Sequence, residues 1–217
     1  MFDTARVRRR FYLDRSLRKT PIGAGSDLEA LMRIPPKAIS VPLGDILRGI
    51  PWCVIGGVAT RAYMPERATK DIDVLIAHAD AAKSEAALEA AGWTRGRELF
   101  FPNASLGLYG SAWNNAGAQL DMLSSAQPWV SEALRAPHYD ETGLRVIPLA
   151  YLVLMKIDSA RTIDQGDLGR MLGRVSNAEL EQIANVIMKF SFDPQAADDV
   201  RQYAQIGRWE LQTPSDG

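Results

Sequence analysis

Asp71 and Asp73 stand one residue apart in the apolar run Ile72-Asp73-Val74-Leu75-Ile76-Ala77 and its approach, Thr69-Lys70-Asp71. Aspartate is depleted in strands, and a carboxylate taken from water without a partner is costly. The pair is therefore either a solvated turn or a holder of positive charge. On a strand, residues two apart share a face, so Asp71 and Asp73 would project side by side, about 7 Å apart along the backbone. Thr69 and Arg67 lie upstream on that face, while Ile72 and Val74 turn to the core. Two carboxylates so placed repel each other unless a cation lies between them. Hard divalent ions such as Mg²⁺ take carboxylate oxygens and share the rest of their shell with substrate phosphates.

A second run, Ala118-Gln119-Leu120-Asp121-Met122-Leu123-Ser124, repeats the device, with Asp121 facing away from its neighbours Leu120 and Met122. If that strand lies beside the first, three carboxylates are available to two metal ions, a clamp for the attacking and leaving oxygens of an in-line phosphoryl displacement. Gly56-Gly57 stands where a strand gives way to a helix; bare backbone there lets N–H groups approach a phosphate. Taken singly, each part has a plainer reading. A Gly-Gly pair is commonly a turn, and an isolated acidic residue in a strand is commonly an edge position. D-x-D also occurs in glycosyltransferases and in phosphatases with an aspartyl nucleophile. A phosphatase of that kind wants Thr and Gly soon after the aspartates, where Val74-Leu75-Ile76 follow here, and a glycosyltransferase gives no reason for Gly56-Gly57.

These residues need elements to position them. "LGDILRGI" reads as a short amphipathic helix leading into the strand "PWCVIGG", and "VATRAYM" as a helix ended by Pro65. "TKDIDVLIA" is a strand, and the alanine-rich "DAAKSEAALEAAG" a helix stopped by Gly92. Three extended segments follow, "WTRGRELFF", "ASLGLYGSAW" and "AQLDMLS". The chain then turns helical through "PLAYLVLMKIDSA", "DLGRMLGRV", "SNAELEQIANVIMKF" with a Ser176/Glu179 capping box, and "DPQAADDVRQYAQIGRW" capped by Asp193. The expectation is an α/β (α+β) fold. Its parts are a basic arm and connecting segment over 1–42, a core with a mixed sheet and flanking helices over 43–147, and a helical region over 148–217.

The 217 residues are 47% hydrophobic and 24% charged, the balance of a globular chain with a real core. No apolar run is long enough to cross a membrane, so no membrane partner is expected, and the basic start has no apolar stretch of a secretory signal. One cysteine, Cys53, rules out an internal disulfide, fits a reducing cytoplasm, and reads as a buried, inert thiol. His78 and His138 stand far apart without cysteine partners, so a metal here would be hard and oxygen-bound. Residues 1–19 hold seven basic side chains against Asp3 and Asp14, a net of +5 in a chain whose total is −1. Such an arm is either a solvated tail or a contact for nucleic acid or an acidic partner.

"GGVATRAYMPERATKDIDVLI" resembles the signature of the DNA polymerase β-type nucleotidyltransferases, in which a Gly-Gly or Gly-Ser turn precedes a D-x-D strand. The spelling Arg67-x-Thr69-x-Asp71-Ile72-Asp73 is similar to small bacterial members, including AbiEii-like toxins. "LVLMKIDSARTIDQGDLGRML" adds a helix lysine, an arginine and a D-x-x-D step, filled here by Lys156, Arg161, Asp164 and Asp167. The resemblance covers roughly residues 50–175. It implies a nucleotidyltransferase fold and transfer of NMP from an NTP to an acceptor hydroxyl. Asp71, Asp73 and Asp121 would hold Mg²⁺ or Mn²⁺, with Asp121 helping to activate the hydroxyl. Gly56 and Gly57 would hold the triphosphate, Arg67 and Thr69 would support the loop or touch phosphate, and Lys156 would neutralise phosphate charge. Arg161, Asp164 and Asp167 would belong to the nucleotide-binding set, although helix capping and dipole pairing explain the two aspartates equally well. The implied acceptors are RNA such as tRNA, or protein, and the implied setting is a toxin–antitoxin or abortive-infection system with an antitoxin partner. The rival reading is a non-catalytic protein of the same fold that binds or regulates.

Overall fold

The computed structural model describes residues 41–65, 72–101 and 105–212. Arg67, Thr69 and Asp71, and the basic arm over 1–19, lie outside the described residues. Two compact units make up the described chain, one of 41–65, 72–101 and 107–148, the other of 105–106 and 149–212.

The first unit is built on a mixed sheet of seven strands in the order β3-β4-β5-β2-β1-β7-β6. Its strands are β1 (Trp52–Ile55), β2 (Ile72–Ala77), β3 (Thr94–Leu99), β4 (Tyr109–Asn115), β5 (Ala118–Ser125), β6 (His138–Tyr139) and β7 (Arg145–Val146). β1 is Trp-Cys-Val-Ile, aromatic and β-branched, and is buried along its whole length. β2 is equally apolar after Asp73, with Val74, Leu75 and Ile76 fully buried, as strands at the centre of a covered sheet require. The helices of this unit are α1 (Leu43–Ile46), the single turn α2 (Gly56–Ala59), α3 (Ala81–Ala90) and α4 (Pro128–Arg135).

In the second unit, α5 (Leu149–Ser159), α6 (Thr162–Leu172), α7 (Asn177–Phe190) and α8 (Ala196–Gln212) pack on one another. The Ser176/Glu179 capping box forms as the sequence indicates: Glu179 N–H donates to Ser176 Oγ at 3.2 Å, and Ser176 N–H to the Glu179 carboxylate at 2.9 Å. Leu180, Ile183, Ala184 and Ile187 put the apolar stripe of α7 inside. α8 crosses α6 closely, because a Cβ on Gly207 would overlap the carbonyl of Gly169.

The expected α/β fold, with a mixed sheet, flanking helices and a helical C-terminal region, is the fold observed. Several elements depart from expectation: β6 and β7 answer to no strand read in the sequence, and α6 begins at Thr162, ahead of the expected Asp167. The helix after the glycines begins at Gly56 itself and passes after one turn into a 3₁₀ turn, Thr60–Ala62. β4 starts at Tyr109, later than the extended run suggests. α4 was not expected, although Pro128 at its first turn and its buried Trp129, Val130, Ala133 and Leu134 signal an amphipathic helix. No helix among the described residues is long and apolar enough to cross a membrane.

Candidate active site

β2 and β5 run parallel, in a register that sets Asp73 opposite Asp121. Residues paired across a sheet present their side chains to one face, and neighbouring strands lie about 4.8 Å apart. Asp73 and Asp121, both half-buried, are therefore adjacent carboxylates on one face of the sheet. On the other side of β2, β1 runs antiparallel with Ile55 opposite Asp73. The chain thus leaves β1 beside that carboxylate, and the residue that leaves is Gly56. Gly56 has φ +64°, and a Cβ on it would fall on the Asp73 carboxylate. Only a glycine serves here, since it must take a left-handed backbone and its Cα face is covered by an acid. β4 presents Ala112 opposite Asp121, so a small side chain flanks the pair on that side.

The turn that follows is anchored. Thr60 Oγ1 donates to the Gly57 carbonyl at 2.7 Å, and Tyr63 Oη donates to the Ile147 carbonyl at 2.7 Å. Arg61 pairs with Asp140 at 2.9 Å. Gly56-Gly57 is thus a fixed backbone turn with both residues half-exposed next to the carboxylates.

Gly56→Ala follows directly as a test. The substitution forces a Cβ into the left-handed region and displaces the Asp73 side chain, which together cost about 1–3 kcal/mol. Gly44→Ala, where nothing lies within 4 Å of the new carbon, should leave the thermal midpoint close to the unmutated value. Equal midpoints for the two variants would show that Asp73 does not sit on Gly56.

The residues named from the sequence fall into two groups. Asp73, Asp121, Gly56 and Gly57 come together in the sheet unit. Lys156, Arg161, Asp164 and Asp167 form a second cluster in the helical unit. Asp71, Arg67 and Thr69 lie outside the described residues. Among the described residues no group of three or more His, Cys, Asp and Glu side chains is disposed to hold a metal ion. Asp73 and Asp121 are two hard oxygen donors on adjacent strands, the kind of ligand a divalent ion takes.

In the second cluster, Lys156 is 3% exposed, and its ammonium donates to Asp164 at 2.7 Å and to Asp167 at 2.8 Å. Asp164 also accepts from Ser159 Oγ at 2.6 Å and from Arg161 Nε at 2.6 Å. The turn that folds α6 back over α5 passes through Ala160, a non-glycine at φ 46°, and Gln165 Nε2 donates to the Ala160 carbonyl at 3.0 Å. The geometry therefore gives Lys156 two carboxylate partners, while Arg161, with two-thirds of its side chain exposed (66%), is the cation open to solvent. Ser159 was not named from the sequence, and nothing in a lone helix serine signals it. Asp158 accepts from the backbone N–H of Ser105 at 2.9 Å and from Ser105 Oγ, holding that segment to α5.

Burial pushes the Asp164 carboxyl up, but the Lys156 ammonium and the Arg161 guanidinium more than offset it and hold it below its ordinary 3.8. A carboxyl lowered in the folded state contributes stability that is present above its unfolded value and lost as pH falls through its folded one. The contribution of Asp164 is thus intact at pH 5 and disappears on acidification below about 3.8. Asp164→Asn should flatten the acid limb of a thermal-midpoint-against-pH curve below that value; an unchanged limb would refute the assignment. Cys53 is buried, and burial pushes its thiol up to about 11, with Arg145 beside it offsetting part of the rise, as expected of an inert cysteine.

No protein-family model matches the chain, and no curated protein matches it. Among solved structures it is similar to the crystal structure of ANT(2'')-Ia in complex with adenylyl-2''-tobramycin, with a TM-score of 0.40 and 16% identity, over 77% of this chain and 92% of that one. It is similar also to the solution structure of the antibiotic-resistance factor ANT(2'')-Ia, with a TM-score of 0.41 and 15% identity, over 77% of this chain and 86% of that one.

Proposed function

We propose that the chain is a nucleotidyltransferase of the DNA polymerase β type, moving NMP from an NTP to an acceptor hydroxyl. The observation that carries the reading is the parallel register setting Asp73 beside Asp121, with the bare backbone of Gly56 against Asp73. Together these make a pair of acids next to a turn whose N–H groups suit a phosphate. Asp71, Asp73 and Asp121 would hold Mg²⁺ or Mn²⁺, which when bound neutralises triphosphate charge and favours ionisation of the hydroxyl. Gly56 and Gly57 hold the phosphates, and Thr69 and Arg67 support them. Asp121 accepts the proton of the acceptor hydroxyl. The hydroxyl oxygen forms a bond to the α-phosphorus, the α–β phosphoanhydride bond breaks, and pyrophosphate leaves with that electron pair. The barrier is lowered by positioning and by charge neutralisation.

Within this reading Arg161 is the phosphate-directed cation of its cluster. Lys156, Asp164 and Asp167 hold it in place, since the Lys156 ammonium already carries two carboxylates. The acceptor is RNA, with tRNA foremost, because an arm of net charge +5 suits a polyanion. Release of such an activity in a cytoplasm would make the protein a toxin that needs an antitoxin.

The test is incubation of the full chain with each of four NTPs labelled at the α-phosphate, with Mg²⁺ or Mn²⁺, against RNA and protein extracts. Label appearing in a macromolecule with release of pyrophosphate supports transfer, and the labelled class names the acceptor. No transfer with any nucleotide in either extract favours the non-catalytic binding protein.

A further inference from the structure

At the end of β1 away from Gly56 lies a cavity of about 470 Å³, within the size range of small-molecule sites. Leu47, Ile50 and Trp52 supply buried apolar walls, and Tyr139, 58% exposed, stands at the rim. Two arginines line it. Arg48 is already paired with Asp45 at 2.7 Å, on the exposed side of α1. Arg145 is different. Its guanidinium lies over the Trp52 ring, 5.9 Å from the centroid, and donates to the Leu134 carbonyl at 3.4 Å. Its Nε is buried with no hydrogen-bond acceptor, and no ion pair among the described residues gives it a carboxylate. A guanidinium is always charged and presents a flat fork of donors matched to carboxylate, sulfonate or phosphate. Withdrawn against an indole, it is a positive charge with no acid paired to it among the described residues, in a cavity whose Leu47, Ile50 and Trp52 walls are apolar.

We propose that this cavity is a second binding site, for a small molecule with an aromatic body and a single anionic group. The anion pairs with Arg145 and the ring lies among Trp52, Tyr139 and the aliphatic walls. The site is separate from the carboxylate pair, because Trp52 begins the strand whose far end carries Ile55 into Gly56. The basic residues of the chain's own arm are poor occupants, since like charge at Arg145 repels them.

The probe is 1-anilinonaphthalene-8-sulfonate, with uncharged N-phenyl-1-naphthylamine as its neutral counterpart, each titrated into the full chain. The expected result is one saturable sulfonate site per molecule that Mg²⁺-ATP does not displace. Arg145→Met should weaken the sulfonate on the order of tenfold or more while leaving the neutral dye within about twofold. Arg145→Lys should fall between them, keeping the charge but losing the fork. Tyr139→Ala, at an exposed position, should weaken both dyes and carries the test if Arg145→Met fails to fold. Equal sulfonate affinity in the Arg145 variants and the unmutated chain would overturn the proposal. So would binding without saturation, displacement by Mg²⁺-ATP, or Tyr139→Ala binding both dyes as the unmutated chain does.

Discussion

Asp121→Ala is expected to end nucleotide incorporation, with a fall on the order of 10³-fold or more, since in the proposed mechanism its carboxylate would hold metal and receive the proton, a contribution of several kcal/mol at the transition state. Asp73→Ala does the same, because the two acids share one face at one register position. The measurement is transfer of α-labelled NMP to the acceptor found in the extract screen, at saturating nucleotide and varied Mg²⁺. Asp121→Asn refines the result. It keeps the side-chain shape in a sheet whose neighbours Leu120 and Met122 are buried, so the fold survives while the charge is lost. A fall in kcat at every Mg²⁺ concentration marks Asp121 as needed for the chemical step. A fall that high Mg²⁺ restores assigns it to metal affinity alone. Activity in Asp121→Ala equal to that of the unmutated chain rejects the site.

How far this site could be read in the sequence depends on the range of the contacts that make it. That Asp73 points away from Ile72 and Val74 follows from the period of a strand, and both neighbours are indeed buried. That Asp121 points away from Leu120 and Met122 follows in the same way. The pairing of Asp73 with Asp121 does not, because it depends on which strands adjoin and in what register, properties set by contacts distant in the chain. The same holds for Gly56. A glycine pair after a strand indicates a turn, but the need for glycine comes from the Asp73 carboxylate lying on it, a contact between β1 and β2. β6 and β7 are two residues each, too short to carry a pattern of their own. In the second unit α5 and α7 were legible from Pro148, the Ser176/Glu179 capping box and apolar spacing, whereas the first turn of α6, which starts at Thr162 without a side-chain cap, was not. The burial of Lys156 was not, because lysine is rarely found inside and only its partners on the next helix explain it.

Lys156→Met tests what that burial means. The variant removes the ammonium and leaves Asp164 and Asp167, 1% and 2% exposed, without the cation between them. Removing one partner of a buried ion pair costs about 3–5 kcal/mol. In a chain of 217 residues that should lower the thermal midpoint by roughly 6–20 °C, taking about 2–4 °C per kcal/mol. Adding Asp167→Asn removes the carboxylate that Lys156 faced and leaves Arg161 paired with Asp164, so the double variant should regain part of the loss. Activity per folded molecule then separates the two roles of the lysine. If Lys156 anchors the turn that carries Arg161, the double variant recovers nucleotide KM together with stability, and Arg161→Ala raises KM in the stable background. If the ammonium itself meets phosphate, KM stays high in the double variant however well it folds. A single variant that melts with the unmutated chain would mean that the lysine leaves its two carboxylates in solution, and the buried cluster would be rejected.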